Sequence, residues 1–229
     1  MIYFSPPTSS QQVHQAMFRG EIGFIKTYEV GNRLFDGVTW CMDNGCFSPS
    51  RAKRNEPWDE GKWWACLERH AYAADRCIFA TAPDVVNFVN GEPIGDAQAT
   101  LIKSAPWYTR IRSLGYPVAL VAQDGLEVSD IPWREIDALF IGGSDDFKIG
   151  PAGIRKGGTP LGPIPCEPLI RAAQERGIWT HYGRVNSRMR FLLGAKYLRC
   201  NSADGTYVRF GPDKNLPKLL KWVREVEQS

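Results

Sequence analysis

Trp40-Cys41-Met42-Asp43-Asn44-Gly45-Cys46-Phe47 is a short apolar run that stops at an acid and then turns. Asn44 and Gly45 both tolerate positive φ, so together they make a turn. With residues 38–42 as a buried strand, Asp43 stands at the carboxyl end of that strand. In α/β proteins the loops beyond those ends hold the chemistry. The same layout recurs at residues 80–84, 122–124, 141–143, 180–183 and 200–204, which would gather acids and amides on one rim.

Working outward, apolar runs at 1–4, 22–26, 38–42, 77–80, 117–122, 138–141, 178–182 and 197–200 read as strands. The run at 117–122 is uninterrupted, as in a strand buried on both faces. Helical patterns or crossovers separate the runs. They fall at about 10–19, 59–74, 95–115 with a break at Pro106, 133–137, 167–176 and 187–193. Trp64, Leu67 and Ala71 recur at helical spacing and read as core, and Leu216, Leu219, Leu220 and Val223 give the closing helix an apolar stripe. Eight strands in alternation predict an α/β fold, a (β/α)8 TIM-type barrel forming one domain over residues 1–229. A doubly wound open sheet is the alternative.

Apolar content of 43% and charged content of 23% are those of a globular protein. A net charge of +3 permits an anionic partner without demanding one. None of the six cysteines forms Cys-x-x-Cys, and His14, His70 and His181 are scattered, so no zinc-site spacing is present. Buried, reduced thiols in a cytoplasmic protein are the expectation. No apolar run approaches the roughly 18 residues of a membrane span, and the N-terminus does not read as a signal peptide.

Two loops stand out. Residues 44–61 carry Arg51, Lys53 and Arg54, either as a solvated surface or as an arm for phosphates. Residues 142–165 are rich in Gly and Pro and carry Lys148, Arg155 and Lys156. A structureless loop of that length is usually functional or disordered, and its amides suit an anion, a lid, or neither.

The order of strand-end motifs resembles the tRNA-guanine transglycosylase superfamily. It is most similar to the compact branch of phages and bacteria that inserts 7-deazaguanine bases into DNA. The likeness runs over residues 38–205. Asp43-Asn44-Gly45-Cys46-Phe47 is similar to the family's Asp-Ser-Gly-Gly-Phe, which implies that Asp43 is the acid/base. Pro83-Asp84 resembles the segment whose Asp reads the heterocycle. Val121-Ala122-Gln123 resembles the strand end whose Gln contacts the base. Ile141-Gly142-Gly143 resembles the turn whose amides face the base carbonyl. His181-Tyr182-Gly183 falls at the family's seventh-strand motif, and the resemblance places His181 among the base-binding residues. Asn201-Ser202-Ala203-Asp204-Gly205 resembles the segment ending in the nucleophile, which implies that role for Asp204. Asn44 stands where the family has Ser, Cys46 where it has Gly, and the tRNA enzymes' zinc insertion is missing. Those departures suit the DNA-modifying branch.

The residues allow the same chemistry without the name. Breaking a C1′–N bond builds oxocarbenium character, which a carboxylate facing C1′ stabilises and can capture. A second carboxyl moves the proton of the base. A carboxylate such as Asp84 accepts from guanine N1–H and the 2-amino group, while Gln123 and the amides near Gly142 and Gly143 donate to its carbonyl. The plainer reading is that strand-end acids cap the next helix and that His181 is a satisfied strand-end histidine. Cys46 and Cys200 lie near the rim without a histidine spaced to activate either. A base in a duplex must be extruded, or be single-stranded from the start. Arg51, Lys53, Arg54, Lys156, Arg184 and Arg188, with Arg190, are the candidates for flanking phosphates. The expected partners are DNA, or alternatively tRNA, and a 7-deazaguanine base as co-substrate, with no cofactor, metal or membrane. A homodimer or an accessory protein stays open. A two-carboxylate hydrolase of a free nucleoside and a non-catalytic binder of guanine-like bases are the competing classes.

Overall fold

A computed structural model of the chain describes residues 1–31, 33–48, 56–89 and 92–228. Eight parallel strands close into a barrel: β1 (Ile2–Ser5), β2 (Gly23–Lys26), β3 (Trp40–Met42), β4 (Cys77–Thr81), β7 (Val118–Ala122), β8 (Ala138–Ile141), β9 (Trp179–Tyr182) and β10 (Ser202–Asp204). The barrel shuts where β1 pairs with β10, with Phe4 opposite Asp204. The extra pair, β5 (Val86–Val89) and β6 (Glu92–Gly95), is an antiparallel hairpin inserted after β4. The sequence patterns had not suggested it.

Side chains of a barrel strand alternate between the lumen and the surrounding helices. Phe4, Ile25, Cys41, Phe79, Ala119 and Ala138 form the inner cluster. Asp43 shares the parity of Cys41, and Gln123 that of Ala119, so each continues the lumen face just past its strand. Ser202 and Asp204 share one parity on β10, and His181 lies within ring contact of Phe4, Phe79 and Phe140. The larger core lies outside the barrel, under α1 (Gln11–Phe18), α2 (Glu60–His70), α3 (Ala97–Ser104), α4 (Tyr108–Ser113), α5 (Asp145–Ile149), α6 (Glu167–Glu175), α7 (Arg188–Leu192) and α8 (Pro212–Glu227). Helix α2 starts at an Asp59 cap that accepts from the Lys62 N–H, and it buries Trp63, Cys66, Leu67 and His70. Trp64 and Ala71 are only partly buried beside that face. Helix α8 buries Leu216, Leu219 and Trp222 and packs on α1 and α7. None of the described helices is long and apolar enough to cross a membrane.

Four expectations are corrected. Residues 197–200 are not a strand. Helix α7 runs on through a single wide turn, Leu193–Tyr197, and Arg199 then takes a left-handed φ of 56°, so the eighth strand starts at Ser202. Leu198 and Cys200 are buried while Tyr197 and Arg199 are exposed, so this loop alternates as a strand would without being one. Residues 133–137 form a turn rather than a helix, and that crossover holds only the 3-10 turn Val128–Asp130. Residues 142–165 are not structureless, because Ser144 caps α5 and an Ile154–Pro160 bridge closes the remainder. The helix expected from residue 95 begins at Ala97, since Gly95 belongs to the hairpin.

Candidate active site

A cavity of about 460 Å³ opens at the carboxyl ends of the strands. Asp43, Asp84, Gln123, Gly142, Gly143, Arg184 and Asp204 all line it. Around the barrel, β1 and β2 stand between the strands that carry Asp43 and Asp204. The two carboxyls therefore approach one space from different walls.

Asn44 fixes the turn that carries Asp43. Its N–H donates to Thr81 Oγ1 at 2.6 Å, its Nδ2 donates to the Ala82 carbonyl at 2.7 Å, and its Oδ1 accepts from the Cys46 N–H at 2.7 Å. Asn44 thus binds the end of β3 to the end of β4, which a serine at that position is too short to do in the same way. Burial pushes the Asp43 carboxyl up to about 7, and the charges of Asp204 and Asp84 add to that shift. Such a group can hold or release a proton at neutral pH.

Asp204 is oriented from behind. His181 Nε2 lies 3.0 Å from Oδ1, and the Arg184 N–H donates to the same oxygen at 3.2 Å. His181 Nδ1 lies 2.8 Å from Ser202 Oγ, which also takes the Trp179 indole N–H at 2.8 Å. An indole nitrogen only donates and an ionised carboxylate only accepts. Trp179 therefore donates to Ser202 and His181 Nε2–H donates to Asp204; with a neutral imidazole, Nδ1 then accepts from the Ser202 hydroxyl. No hydrogen bond engages Asp204 Oδ2 among the described residues. His181 is fully buried and does not line the cavity. Its expected place among the base contacts is therefore corrected, because both ring nitrogens are already engaged and it serves as a positioning residue for Asp204.

Arg184 takes a left-handed φ of 59°, uncommon for a residue with a side chain. In that conformation its N–H faces Asp204, while its guanidinium bonds the Gly143 carbonyl and lies 4.9 Å from the centre of the Phe47 ring. It joins the turns after β3, β8 and β9 into one wall.

On the opposite side, Gln123 Nε2 donates to Asp84 Oδ2 at 2.5 Å, and the Gly143 N–H donates to Gln123 Oε1 at 2.7 Å. Gly143 has a φ of 72°, which a side chain would strain. Asp84 is 4% exposed, and its Oδ1 has no hydrogen-bond partner among the described residues. Burial raises its pKa, against the pull of the Cys46 thiol and the Lys103 ammonium. A buried acceptor left without a donor is costly, so this oxygen is placed to receive an N–H from whatever fills the cavity.

The expected phosphate contacts fare unevenly. Arg184 is at the cavity. Arg188, bound to Glu225 at 2.6 and 3.1 Å and to the Lys156 carbonyl, Arg190, paired with Asp145, and the exposed Lys156 lie outside the cavity lining, on the surface where flanking phosphates would run. Arg51, Lys53 and Arg54 lie outside the described residues. Asn186 and Arg209, which no sequence pattern singled out, also line the cavity, and Lys148, one of the cations of residues 142–165, lies behind it. Lys148 is fully buried against the Gly183 carbonyl, and burial lowers its pKa to about 7. Among the described residues no cluster of His, Cys, Asp or Glu is placed to hold a metal ion.

No protein-family model matches the sequence, and no curated protein matches it. Solved structures give distant likenesses. Tryptophan synthase from M. tuberculosis in its aminoacrylate- and BRD0059-bound form is 12% identical, with 98% of this chain and 89% of that chain covered and a TM-score of 0.49. The tryptophan synthase complex of the hyperthermophile Pyrococcus furiosus is 10% identical, with 100% and 98% covered and a TM-score of 0.49. At that distance the likeness says nothing about chemistry.

Proposed function

We propose that the protein is a base-exchange transglycosylase that replaces guanine in DNA with a 7-deazaguanine base. One observation carries the reading: Asp43 and Asp204 line a single cavity in contrasting environments. Asp204, oriented by His181 and Arg184, attacks C1′ of the nucleotide. The C1′–N9 bond breaks, its electron pair leaves with guanine, and Asp43 supplies the proton that guanine takes up. The incoming base then gives its proton to Asp43, and its ring nitrogen attacks C1′ and releases Asp204. Bonds and protons balance over the two steps, with no reductant or cofactor consumed. Asp84 accepts from the N1–H and 2-amino group of either base, which supplies the donor its Oδ1 lacks. The Gly142 and Gly143 amides, expected to meet the base carbonyl, are instead engaged by the Ala122 carbonyl and Gln123 Oε1, so the second Nε2 hydrogen of Gln123 is the donor left for it. The motif order that resembles the 7-deazaguanine transglycosylases supports this assignment of roles.

The test is incubation with DNA, and separately tRNA, carrying labelled guanine, together with 7-cyano-7-deazaguanine. Release of label from DNA that depends on the added base is expected. Release from tRNA alone would transfer the reading to tRNA. Base-independent release from a free nucleoside would make the protein a hydrolase.

A further inference from the structure

The β2–β3 connection is unusual for this fold. A barrel strand is normally followed by a helix, yet among the described residues of 27–39 none forms. The space beside α2 is left as a second cavity of about 470 Å³. Its lining includes Lys26, Arg33, Lys62 and Arg69, with no Asp or Glu. Lys26, at 2% exposure, donates to the Val30 carbonyl at 2.5 Å and so holds the helix-free segment in place. Lys62 is paired with Asp59. Arg33 and Arg69 are exposed and make no ion pair among the described residues. Tyr72, 66% exposed, stands at the mouth.

The two cavities share a wall. Thr27 and Glu29 line the catalytic one, Lys26 and Tyr28 line the cationic one, and Val30 lines both. Val30 is thus common to both linings, with Glu29 on the catalytic side and Arg33 and Arg69 on the other. We infer that this helix gap is a binding site for the phosphodiester backbone of the nucleic-acid strand, flanking the nucleotide that enters the barrel. The inference rests on the base-exchange reading and deepens it: the substrate is a polymer, held on the β2–α2 side by residues distinct from those that do the chemistry. Cations in a groove with an aromatic face at its mouth suit a single strand.

The experiment measures binding of a fluorescent single-stranded DNA, and an RNA of the same sequence, to the full chain over a range of salt. Arg33→Gln/Arg69→Gln is compared with Lys214→Gln/Lys218→Gln, which removes the same charge from the exposed face of α8. The first variant should bind roughly 10- to 100-fold more weakly near 50 mM salt, and its log–log salt slope should fall by about 1.4, from about 0.7 per lost contact. Its affinity for free guanine should not change, and the control should bind as the wild type does. Wild-type strand affinity in the first variant, or equal losses in both, would overturn the site while leaving base exchange standing. A wild-type protein that binds neither strand would remove the base-exchange reading itself. The strand with the tighter arginine-dependent binding identifies the source of the backbone.

Discussion

Asp43 sits in a setting that opposes its own charge, and that has a thermodynamic signature separate from catalysis. An aspartate normally titrates near 3.9, and here the carboxyl is raised to about 7. Between those values the folded protein holds a proton that the unfolded chain has lost. Stability contributed by the protonated form is therefore complete below about 4 and is lost as pH rises toward 7. Asp43→Asn keeps the neutral shape and removes the titration. The variant should match the wild type in thermal stability near pH 4 and exceed it at pH 7–8 by on the order of 1–3 kcal/mol, several degrees in Tm. Calorimetry across that range checks it, and a constant difference at every pH would show that Asp43 does not titrate as described. Lys148, lowered to about 7 by burial, titrates in the same range, but it is present in both proteins and its contribution cancels in the difference.

At the scale of elements, the β5–β6 hairpin is more than an insertion. Gly95, at its end, lies so close to Gln123 that an added Cβ would fall 1.9 Å from Oε1. The hairpin thereby presses Gln123 toward Asp84 and the Gly143 amide. Gly95→Ala should push Gln123 out of that line and raise KM for the base by about 10- to 100-fold, the loss expected when buried polar groups are left unpaired, with kcat changed far less. Steady-state kinetics decides between this and an unchanged KM, which would leave the hairpin no part in base recognition. This contact could not be read from sequence, because Gly95 looks like a helix boundary and the strands of the hairpin have no alternating apolar pattern. The turn after β3 was legible, because Asn44 and Gly45 specify it locally. The last strand was misplaced because residues 197–200 bury every second side chain, Leu198 and Cys200, from a loop.

Across the whole molecule, the eightfold alternation predicted the barrel, and closure between β1 and β10 answers the open-sheet alternative. Strand-end acids and amides were visible because the fold sends every such position to one rim. The support behind them was not visible. The Trp179–Ser202–His181–Asp204 chain joins two strands through lumen side chains, and no spacing within one strand reveals a partner on the next. The cationic gap beside β2 was hidden for a related reason: it lies where the described residues of 27–39 form no helix, and its arginines come from separate segments. In the proposed exchange, Asp204 becomes covalently joined to the sugar while Asp43 handles the proton. Mass spectrometry of the denatured protein after incubation with DNA in the absence of incoming base tests it most directly. The account predicts a DNA-bound species in the wild type, its absence in Asp204→Ala, and attachment mapped to Asp204. A DNA adduct that survives in Asp204→Ala, or guanine release by the wild type with no adduct formed, would contradict it.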